Sequence, residues 1–600
     1  AERLLLERAG GNPLYAQEYV RMLVERGAST TVLPETVQGI IAARLDGLSA
    51  DEKSVLQDAA VLGSVAWLGG ICAVGNHDRH EVDELAFRLD RKQLIRRERR
   101  SSVAGETEFA FAHALIRDVA YGQLTRAQRA ERHERAADWI EQLAGDRDDK
   151  AELVAHHVTT ALSLREALGD AGEPLRLRAA GALLAGARQA AARHDQASTV
   201  RHVEAALALE PGAATRAELL VRRAVAEHLA GIAGEPRLLE AHHAALAAGR
   251  IEDAVQTAYM LSEWAEYAIG DGPAVDRYVE EARRLAASLP PGPITILPSY
   301  AAAYRLFMQG RFAEAVELAD AEIARARAAG VETAAALMLV WRGAARSDAG
   351  DADGVADVRE AYAILSEHAH YKAATTATNL AEFYMAAGLL AEAGDMYREG
   401  REWARRSGDT RAETWSACGL SRLAYHAGEP AAAWGLLAEA ETDQLRGIAL
   451  HEILSGHLLL VSDPQRAIGL AASALGYAND TENNEVRLEA IALAARAALA
   501  AGDRAAAGRA ADDYLACWNA TGSRAMSAIS LLEVEFVLAA LDRHAELALA
   551  SGYVATGGWA DAARALATRR YDAAIAVLEQ LPSVPLLAAV RTLAAENAPA

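Results

Sequence analysis

The chain has 600 residues, and it is poor in proline, aromatic residues and cysteine. With only 15 prolines and 6% aromatic residues, it has neither the composition of a collagen-like fibre nor that of a proline-rich disordered protein. The three cysteines, Cys72, Cys418 and Cys517, lie far apart and form no CxxC motif, so we expect ordinary thiols and no disulfide framework or cysteine zinc site. The chain also lacks a run of roughly 18 apolar residues, which a membrane span would need, and the basic-then-apolar order of a signal peptide. These absences predict a soluble, cytoplasmic protein.

Positive charge is scarce as well, since 61 basic residues face 83 acidic ones and the formal net charge is −22. Such a balance repels nucleic acid over most of a surface, but a local basic patch can still bind phosphates. One basic run stands out, and it supplies the candidate nucleic-acid contacts Arg96, Arg97, Arg99 and Arg100. DNA binding through this run is an alternative function, and the acidic balance argues against it.

The residues that are present favour helix, because alanine, leucine, arginine and glutamate dominate long stretches. Near the N-terminus, Gly11 can end one helix, Asn12 can cap the next, and Pro13 suits a first turn that needs no amide hydrogen. We expect a helix over residues 13–26.

Between residues 33 and 147 the pattern changes to short helices followed by a β-hairpin. Ser49 and Glu52 have the spacing of a capping box, which opens a helix with an apolar face. A second helix is predicted near His80–Lys92, and two short alternating segments, Leu94–Arg97 and Glu108–Phe111, flank a polar turn. This order predicts a winged helix.

Beyond residue 147 a motif recurs in which glycine is followed, five residues later, by a small residue. It reads GRIEDA at Gly249, GRFAEA at Gly310, GDADGV at Gly350, GLLAEA at Gly388, GEPAAA at Gly428 and GDRAAA at Gly502, with RRYDAA at Arg569 as a late relative. The four central motifs start at 310, 350, 388 and 428, which sets separations of 40, 38 and 40 residues. Glycine can reverse the chain between two helices, and the small residue lets the second helix approach the first closely. The series predicts a tetratricopeptide-like superhelix of about nine to eleven hairpins over residues 148–600.

Aromatic residues gather in the first helices of these hairpins, and they are candidates for a groove that binds a partner or a ligand. The alternative is routine packing within hairpins. The candidates are Tyr304, Trp341, Tyr384, Trp415 and Tyr425.

Several segments resemble bacterial STAND signalling ATPases, a family that includes maltose-type transcription activators, LuxR-type regulators and multidomain adenylate cyclases. GNPLY at Gly11 is similar to the GNPLF joint of that family. Further similar segments follow in the family's order: LPETVQGIIAARLDGLSADEKSVLQDAAVLG at Leu33, FAFAHALIRDVAYGQL at Phe109 and ELVAHHVTTA at Glu152. The resemblance covers roughly residues 1 to 210, and the remainder is similar only as a generic repeat array.

The resemblance implies an upstream nucleotide-binding domain that uses ATP or ADP with Mg²⁺, then a helical domain, a winged helix and a superhelical sensor. This chain has no GxxxxGK[ST] motif and no catalytic constellation, so we expect no enzymatic activity from it, although the full-length protein would be an ATPase or an adenylate cyclase. It looks like the C-terminal portion of such a protein, with residues 1–32 as a remnant of the helical domain. The resemblance gives Gly11, Asn12, Pro13 and His113 a role in sensing ADP or ATP, which needs the missing domain.

The fold class predicted is therefore all-α, with a winged helix at residues 33–147 and a tetratricopeptide-like solenoid after it. The function predicted is regulatory: a protein or small molecule binds the superhelix, the winged helix relays the change, and the complete protein oligomerises. A passive scaffold is the other alternative. No metal site is expected, because His77 and His80 lack a metal-binding spacing and suit a loop before a helix.

Overall fold

A computed structural model describes residues 16–21, 36–144, 150–351, 353–440, 445–522, 526–543, 557–581 and 583–597. Within these ranges the chain is helical apart from three short strands and the connecting turns. The predicted joint at Gly11, Asn12 and Pro13 lies outside the described residues, and its role stays a prediction. No helix in the described ranges is long and apolar enough to cross a membrane.

Helices and strands alternate only in the first part of the chain. The strands are β1 (Val65–Trp67), β2 (Ile95–Arg97) and β3 (Glu108–Phe111). The helices up to residue 229 are α1 (Val37–Leu45), α2 (Ala50–Leu62), α3 (Leu68–Gly75), α4 (Arg79–Arg91), α5 (Ala114–Gly122), α6 (Arg126–Ala144), α7 (Ala151–Ala167), α8 (Glu173–Ala192), α9 (Gln196–Leu207) and α10 (Ala213–Leu229).

The later part contains helices alone. They are α11 (Glu235–Ala247), α12 (Ile251–Trp264), α13 (Gly272–Ala286), α14 (Leu297–Met308), α15 (Phe312–Ala328), α16 (Glu332–Asp348), α17 (Gly354–Glu367), α18 (Ala373–Ala387), α19 (Leu390–Ser407), α20 (Thr410–His426), α21 (Pro430–Glu439), α22 (Leu445–Leu459), α23 (Pro464–Asp480), α24 (Asn484–Ala500), α25 (Arg504–Thr521), α26 (Ala528–Ala540), α27 (Gly558–Ala567), α28 (Tyr571–Gln580) and α29 (Val584–Glu596). A π-helical segment, Ala265–Ile269, continues α12.

The chain divides into two compact units. The first takes in residues up to Arg193 together with Ser198–Leu219, and the second takes in His194–Ala197 and the chain from Leu220 onward. The predicted domain boundary between residues 147 and 148 falls inside the first unit, and the three predicted domains stay predictions.

In the first unit, the predicted β-hairpin is confirmed. Strands β2 and β3 pair antiparallel, with Ile95 opposite Phe111 and Arg97 opposite Phe109. The sequence analysis missed β1, which pairs with the other edge of β3, so that the sheet order is β1-β3-β2. A strand of three residues is too short to show an alternating pattern, and here the pairing itself holds it extended.

The predicted capping box is also confirmed. The Ser49 hydroxyl accepts a hydrogen bond from the Glu52 amide at 3.2 Å, and the Glu52 carboxylate accepts one from the Ser49 amide at 3.0 Å. Two otherwise unpaired amides at the start of α2 are thereby satisfied. The apolar face predicted for α2 is buried: Val55, Leu56, Ala59 and Leu62.

In the second unit, helices pack in sequence order as hairpins. Each helix from α11 onward contacts the next, and most neighbouring even-numbered helices contact one another too. The six predicted turn glycines all have a positive φ, between 68° and 99°, which is a conformation that glycine adopts without strain. They are Gly249, Gly310, Gly350, Gly388, Gly428 and Gly502.

The small residues predicted to allow close helix approach are buried in the interface of their hairpins. The alanines at these positions have no exposed surface: Ala254, Ala315, Ala393, Ala433, Ala507 and Ala574. In the motif GDADGV, Gly354 is the residue that allows the close approach of the helices, since a Cβ there would lie 2.5 Å from the Gly343 carbonyl oxygen. The hairpin of α22 and α23 has no motif, because Asp463 caps α23 and Pro464 begins it, and the sequence analysis missed that hairpin.

Candidate functional site

One large cavity lies within the second unit. Its walls enclose about 1630 Å³ of atom-free space, part of which is continuous with solvent. Every even-numbered helix from α12 to α26 contributes side chains to the wall. A concave wall that is mostly apolar and carries a few polar groups is typical of small-molecule binding sites, and this wall has that composition.

Hydrogen bonds join hairpins that are distant in sequence around the cavity. Arg305 on α14 donates to the Thr481 carbonyl at 2.7 Å, and the Met526 amide donates to the Asp348 carboxylate at 2.9 Å. The Trp559 indole donates to a main-chain carbonyl of α18 at 2.8 Å. The cavity therefore depends on the tertiary packing of the helical array, because these contacts join residues more than 170 positions apart.

Four of the five aromatic residues predicted to line a groove lie on the wall of this cavity: Tyr304, Trp341, Trp415 and Tyr425. The structure places Tyr384 elsewhere. Its hydroxyl accepts a hydrogen bond from Arg359 Nε at 3.2 Å, and it faces α17 instead of the cavity. A role for these residues in binding stays a prediction.

The aromatic wall is densest around Trp341. The rings of Tyr300, Tyr304 and Phe307 lie 5.6, 5.0 and 5.7 Å from the Trp341 ring, measured between centroids. On the other side of the wall, Trp415 packs edge-on against Tyr267 at 5.5 Å. Such rings provide large apolar area and attract cations at their faces.

At one end of the cavity, Glu263 is the centre of a buried network that we name the Glu263 cluster. Its Oε1 atom accepts hydrogen bonds from the Tyr259 hydroxyl at 2.6 Å and from Lys372 Nζ at 2.9 Å. Its Oε2 atom lies 2.6 Å from His228 Nε2 and 3.1 Å from Arg411 Nη1. The two cations and two further polar groups therefore fully satisfy this carboxylate.

The charges of the Glu263 cluster balance once Asp409, 3.8 Å from Arg411, is counted with Glu263 against the two cations. Burial alone would raise the pKa of Glu263, but the charges of Arg411 and Lys372 outweigh it and hold that pKa well below the ordinary value. Burial lowers the pKa of His228, and Arg411 adds to the effect, so His228 is neutral. The Lys372 ammonium also lies 5.4 Å from the centroid of the Tyr300 ring.

In the middle of the cavity, Arg422 joins two acidic side chains. Its Nη1 atom donates to Glu489 at 3.0 Å, and its Nη2 atom forms an ion pair with Glu382. The Tyr397 hydroxyl donates to Glu382 at 2.6 Å and accepts from Arg422 at 3.2 Å. One guanidinium therefore serves two carboxylates.

Gly419 makes this arrangement possible. A Cβ atom at Gly419 would lie 2.2 Å from a ring carbon of Tyr397, which is fully buried. Only a residue without a side chain lets the Tyr397 ring lie against α20 and place its hydroxyl between Glu382 and Arg422.

A further part of the cavity wall carries Glu485, Glu489, Glu533, Tyr425 and His457, and we name it the acidic end. Burial raises the pKa of Glu489 to about 7 against the pull of Arg422, and the charges of Glu485, Glu382 and Glu533 add to the rise. Burial likewise raises the pKa of Glu533 to about 7, against the pull of Arg496. Burial lowers the pKa of His457 to about 3, so its imidazole is neutral at pH 7.

The sequence analysis identified aromatic wall residues but missed every charged one. A signal existed in α26, whose sequence AISLLEVEFVLAA places Glu533 and Glu535 in an otherwise apolar run. A charge at a position that helical periodicity buries predicts a functional or structural polar contact. Cys418 also lines the cavity, and burial raises its pKa to about 12, which makes the thiol unreactive.

In the first unit, the remaining predicted residues occupy surface positions. His113 caps α5, where its Nδ1 atom accepts a hydrogen bond from the Leu115 amide at 3.1 Å. The predicted basic contacts, Arg96, Arg97, Arg99 and Arg100, are all exposed. Arg96 bonds to Glu98 at 2.5 Å, which offsets part of the local positive charge.

The histidines that were weighed as metal ligands have other partners. His77 Nε2 lies 2.9 Å from the Asp58 carboxylate, and Asp78 caps α4 through the His80 amide. Among the residues that the structure describes, no group of three His, Cys, Asp or Glu side chains could hold a metal ion.

Comparisons with known proteins give limited likeness. No protein-family model matches the chain, and no curated protein matches it either. Among solved structures, a signal transduction ATPase with numerous domains (STAND) and a tetratricopeptide repeat sensor, from Pyrococcus horikoshii, is similar with a TM-score of 0.39 and 13% identity, over 86% of this chain and 69% of that one.

Two further solved structures show the same kind of similarity. The Cut9–Hcn1 hetero-tetramer of the APC/C has a TM-score of 0.33 and 13% identity, over 79% of this chain and 97% of that one. Yeast Tom70 has a TM-score of 0.26 and 12% identity, over 77% of this chain and 99% of that one. At such low scores, neither the detailed fold nor the function follows from the likeness.

Proposed function

We propose that this chain is the ligand-sensing portion of a STAND-type signalling ATPase. The observation that carries the proposal is the cavity in the second unit, whose wall combines aromatic rings with buried, hydrogen-bonded charges. Concave sites of this composition are typical of ligand binding, whereas a purely structural array needs no such space. The similar segments at the joint and at residues 33–161 support the assignment to this class.

The first unit would be the relay. The order α2, β1, α3, α4, β2, β3 supports a winged helix, which we propose for residues 33–147. A ligand that binds one conformation of the array better than another shifts the equilibrium between them, typically by about 1–3 kcal/mol of coupling. In the complete protein, that shift would release an ADP-bound nucleotide domain to take ATP with Mg²⁺.

The test of binding is native mass spectrometry of the 600-residue chain mixed with a low-molecular-mass metabolite extract. We expect a one-to-one adduct with the wild type. Ala301 lines the cavity on α14, so Ala301→Trp would place an indole inside it and weaken the adduct. The matched control is Ala313→Trp, at an exposed position on the neighbouring helix α15, and it should keep the adduct. Equal adducts in both variants would place binding outside the cavity.

DNA binding is the second candidate, and the exposed arginines of the β2 region support it. It requires duplex binding that weakens steeply with salt, because phosphate contacts release counterions. The double variant Arg97→Glu and Arg99→Glu should then abolish binding. Absent or salt-independent binding by the wild type would exclude this candidate.

A further inference from the structure

The cavity wall carries more carboxylates than cations. Of the described wall residues, six are acidic: Glu263, Glu266, Glu382, Glu485, Glu489 and Glu533. Four are basic: Lys372, Arg305, Arg411 and Arg422. The wall histidines His426 and His457 are neutral, because burial lowers the pKa of each to about 3. The cavity therefore has a negative surplus when all its carboxyl groups are ionised.

Part of this surplus lies at the acidic end, where Arg496, 3.9 Å from Glu533, supplies some counter-charge from behind the wall. Lys372 and Arg411 neutralise Glu263, and Arg305 lies 3.7 Å from Glu266. By contrast, Arg422 is shared between Glu382 and Glu489. One cation for two half-buried carboxylates, each 22% exposed, leaves a negative charge without a full counter-charge.

Glu533 is the least satisfied of these groups. Its side chain is 4% exposed, faces the cavity and makes no hydrogen bond with any described residue. Its nearest nitrogen atoms are His457 Nδ1 at 3.5 Å and Arg496 Nη1 at 3.9 Å, both too far for a good hydrogen bond. A buried carboxyl group in this condition is costly unless something in the cavity bonds to it.

The surroundings of this carboxyl group suit an organic cation. The Tyr425 ring lies 5.6 Å from the His457 ring, and apolar wall residues complete the acidic end: Leu450, Ile453, Leu454 and Ile529. Aromatic faces attract cations that carry an apolar body, and carboxylates accept their N–H hydrogen bonds. A divalent metal would instead need several oxygen ligands around one point.

We propose that the ligand is a small organic cation, with an ammonium or guanidinium group between Glu489 and Glu533 and an apolar body against Tyr425 and its neighbours. This inference rests on the proposed function, because it names the class of ligand that the cavity takes. It requires no covalent step, only the exchange of water and protons for the cation.

The pH dependence of binding has a definite sign. Burial raises the pKa of both carboxyl groups, Glu489 and Glu533, to about 7. The charged and titratable groups around them are Arg422, Glu382, Glu485, His457, Arg496 and Tyr425. A cation bonds to the ionised form, so binding releases protons near pH 7. Affinity should rise by about tenfold between pH 6 and pH 8 for each carboxyl group that has to ionise.

Isothermal titration of the 600-residue chain tests the proposal with matched probes. Tryptamine and agmatine are the cations, tryptophol is the neutral isostere and indole-3-acetate is the anion. We expect tryptamine to bind more tightly than tryptophol by about tenfold or more, with net proton release at pH 7. A capped glycine-lysine-glycine peptide shows whether a peptide side chain can supply the same cation.

Variants on one pair of helices complete the experiment. Glu533→Gln and Glu489→Gln should each weaken tryptamine binding by about tenfold and flatten its pH dependence. Glu535→Gln is the matched control, since Glu535 lies on the same helix as Glu533 but outside the cavity wall, and it should leave the affinity unchanged. Melting curves verify that each variant folds.

The outcomes separate this inference from the proposed function. If tryptophol or indole-3-acetate binds as tightly as tryptamine or more tightly, the cavity remains a binding site, but the inference that its ligand is a cation is refuted. Binding of Mg²⁺ alone at the acidic end would also refute the inference of an organic cation. Binding of no cationic probe up to about 5 mM would overturn this inference, while an adduct in native mass spectrometry would still support the proposed function.

Discussion

Glu535 offers a stability prediction whose size follows from the structure. Its side chain on α26 has no exposed surface, and neither carboxyl oxygen has a hydrogen-bond partner among the described residues. Burial raises its pKa to about 8. An isosteric Glu535→Gln change removes the ionisation and keeps the shape.

The free energy of unfolding should depend on pH through this group. Below the unfolded-state pKa of about 4.3, both states hold the proton and nothing is lost. As pH rises towards 8, only the folded state keeps the proton, so stability falls across this window. With about 1.36 kcal/mol for each pKa unit, the loss between pH 5 and pH 8 is about 3 kcal/mol.

Thermal unfolding at pH 5 and pH 8 measures the effect. Glu535→Gln should raise the unfolding midpoint by several degrees at pH 8 and change it little at pH 5. Glu596→Gln, an exposed position at the end of α29, is the control and should change neither midpoint. A lower midpoint for Glu535→Gln at pH 8, or an equal shift at both pH values, would refute the reasoning.

Three further substitutions test the cavity wall. Arg422→Met should lower the free energy of unfolding by about 1–3 kcal/mol, since two half-buried carboxylates lose their shared cation. Adding Glu489→Gln should restore part of that loss, and urea titration checks both variants. Gly419→Ala should lower the free energy of unfolding by about 1–3 kcal/mol, because its Cβ meets the Tyr397 ring. Gly435→Ala is the control and should not destabilise the protein, because a Cβ there meets nothing within 4 Å. Glu263→Gln should destabilise the protein strongly at pH 7 and less in acid. The pKa of Glu263 is lowered in the folded state, so the contribution of its ionised form to stability is lost as pH falls. An unchanged melting temperature at pH 7 would contradict this prediction.

Local sequence chemistry predicted those features that a few neighbouring residues determine. The capping box at Ser49, the pairing of β2 with β3 and the positive φ of the turn glycines each follow from the conformational preferences of residues close together in the chain. The same reasoning placed Trp341 and Trp415 on the first helices of hairpins. Four of the five aromatic residues on these first helices lie on the cavity wall.

The charged part of the cavity could not be predicted in this way. Lys372 and Glu263 meet across 109 residues, and Arg422 and Glu489 across 67. Such pairs depend on how successive hairpins stack, which no local pattern encodes. For the same reason, sequence could not separate Tyr384 from the other four aromatic residues, since it shares the first-helix position but faces α17.

The most direct test of the account is hydrogen–deuterium exchange of the 600-residue chain with and without the metabolite extract. We expect slower exchange in α18, α20, α24 and α26, which form part of the cavity wall, together with a change in the exchange rate within residues 36–144. Ala301→Trp should weaken both effects. Slower exchange confined to odd-numbered helices, or no difference in either unit, would contradict a ligand-reading cavity that signals through the first unit.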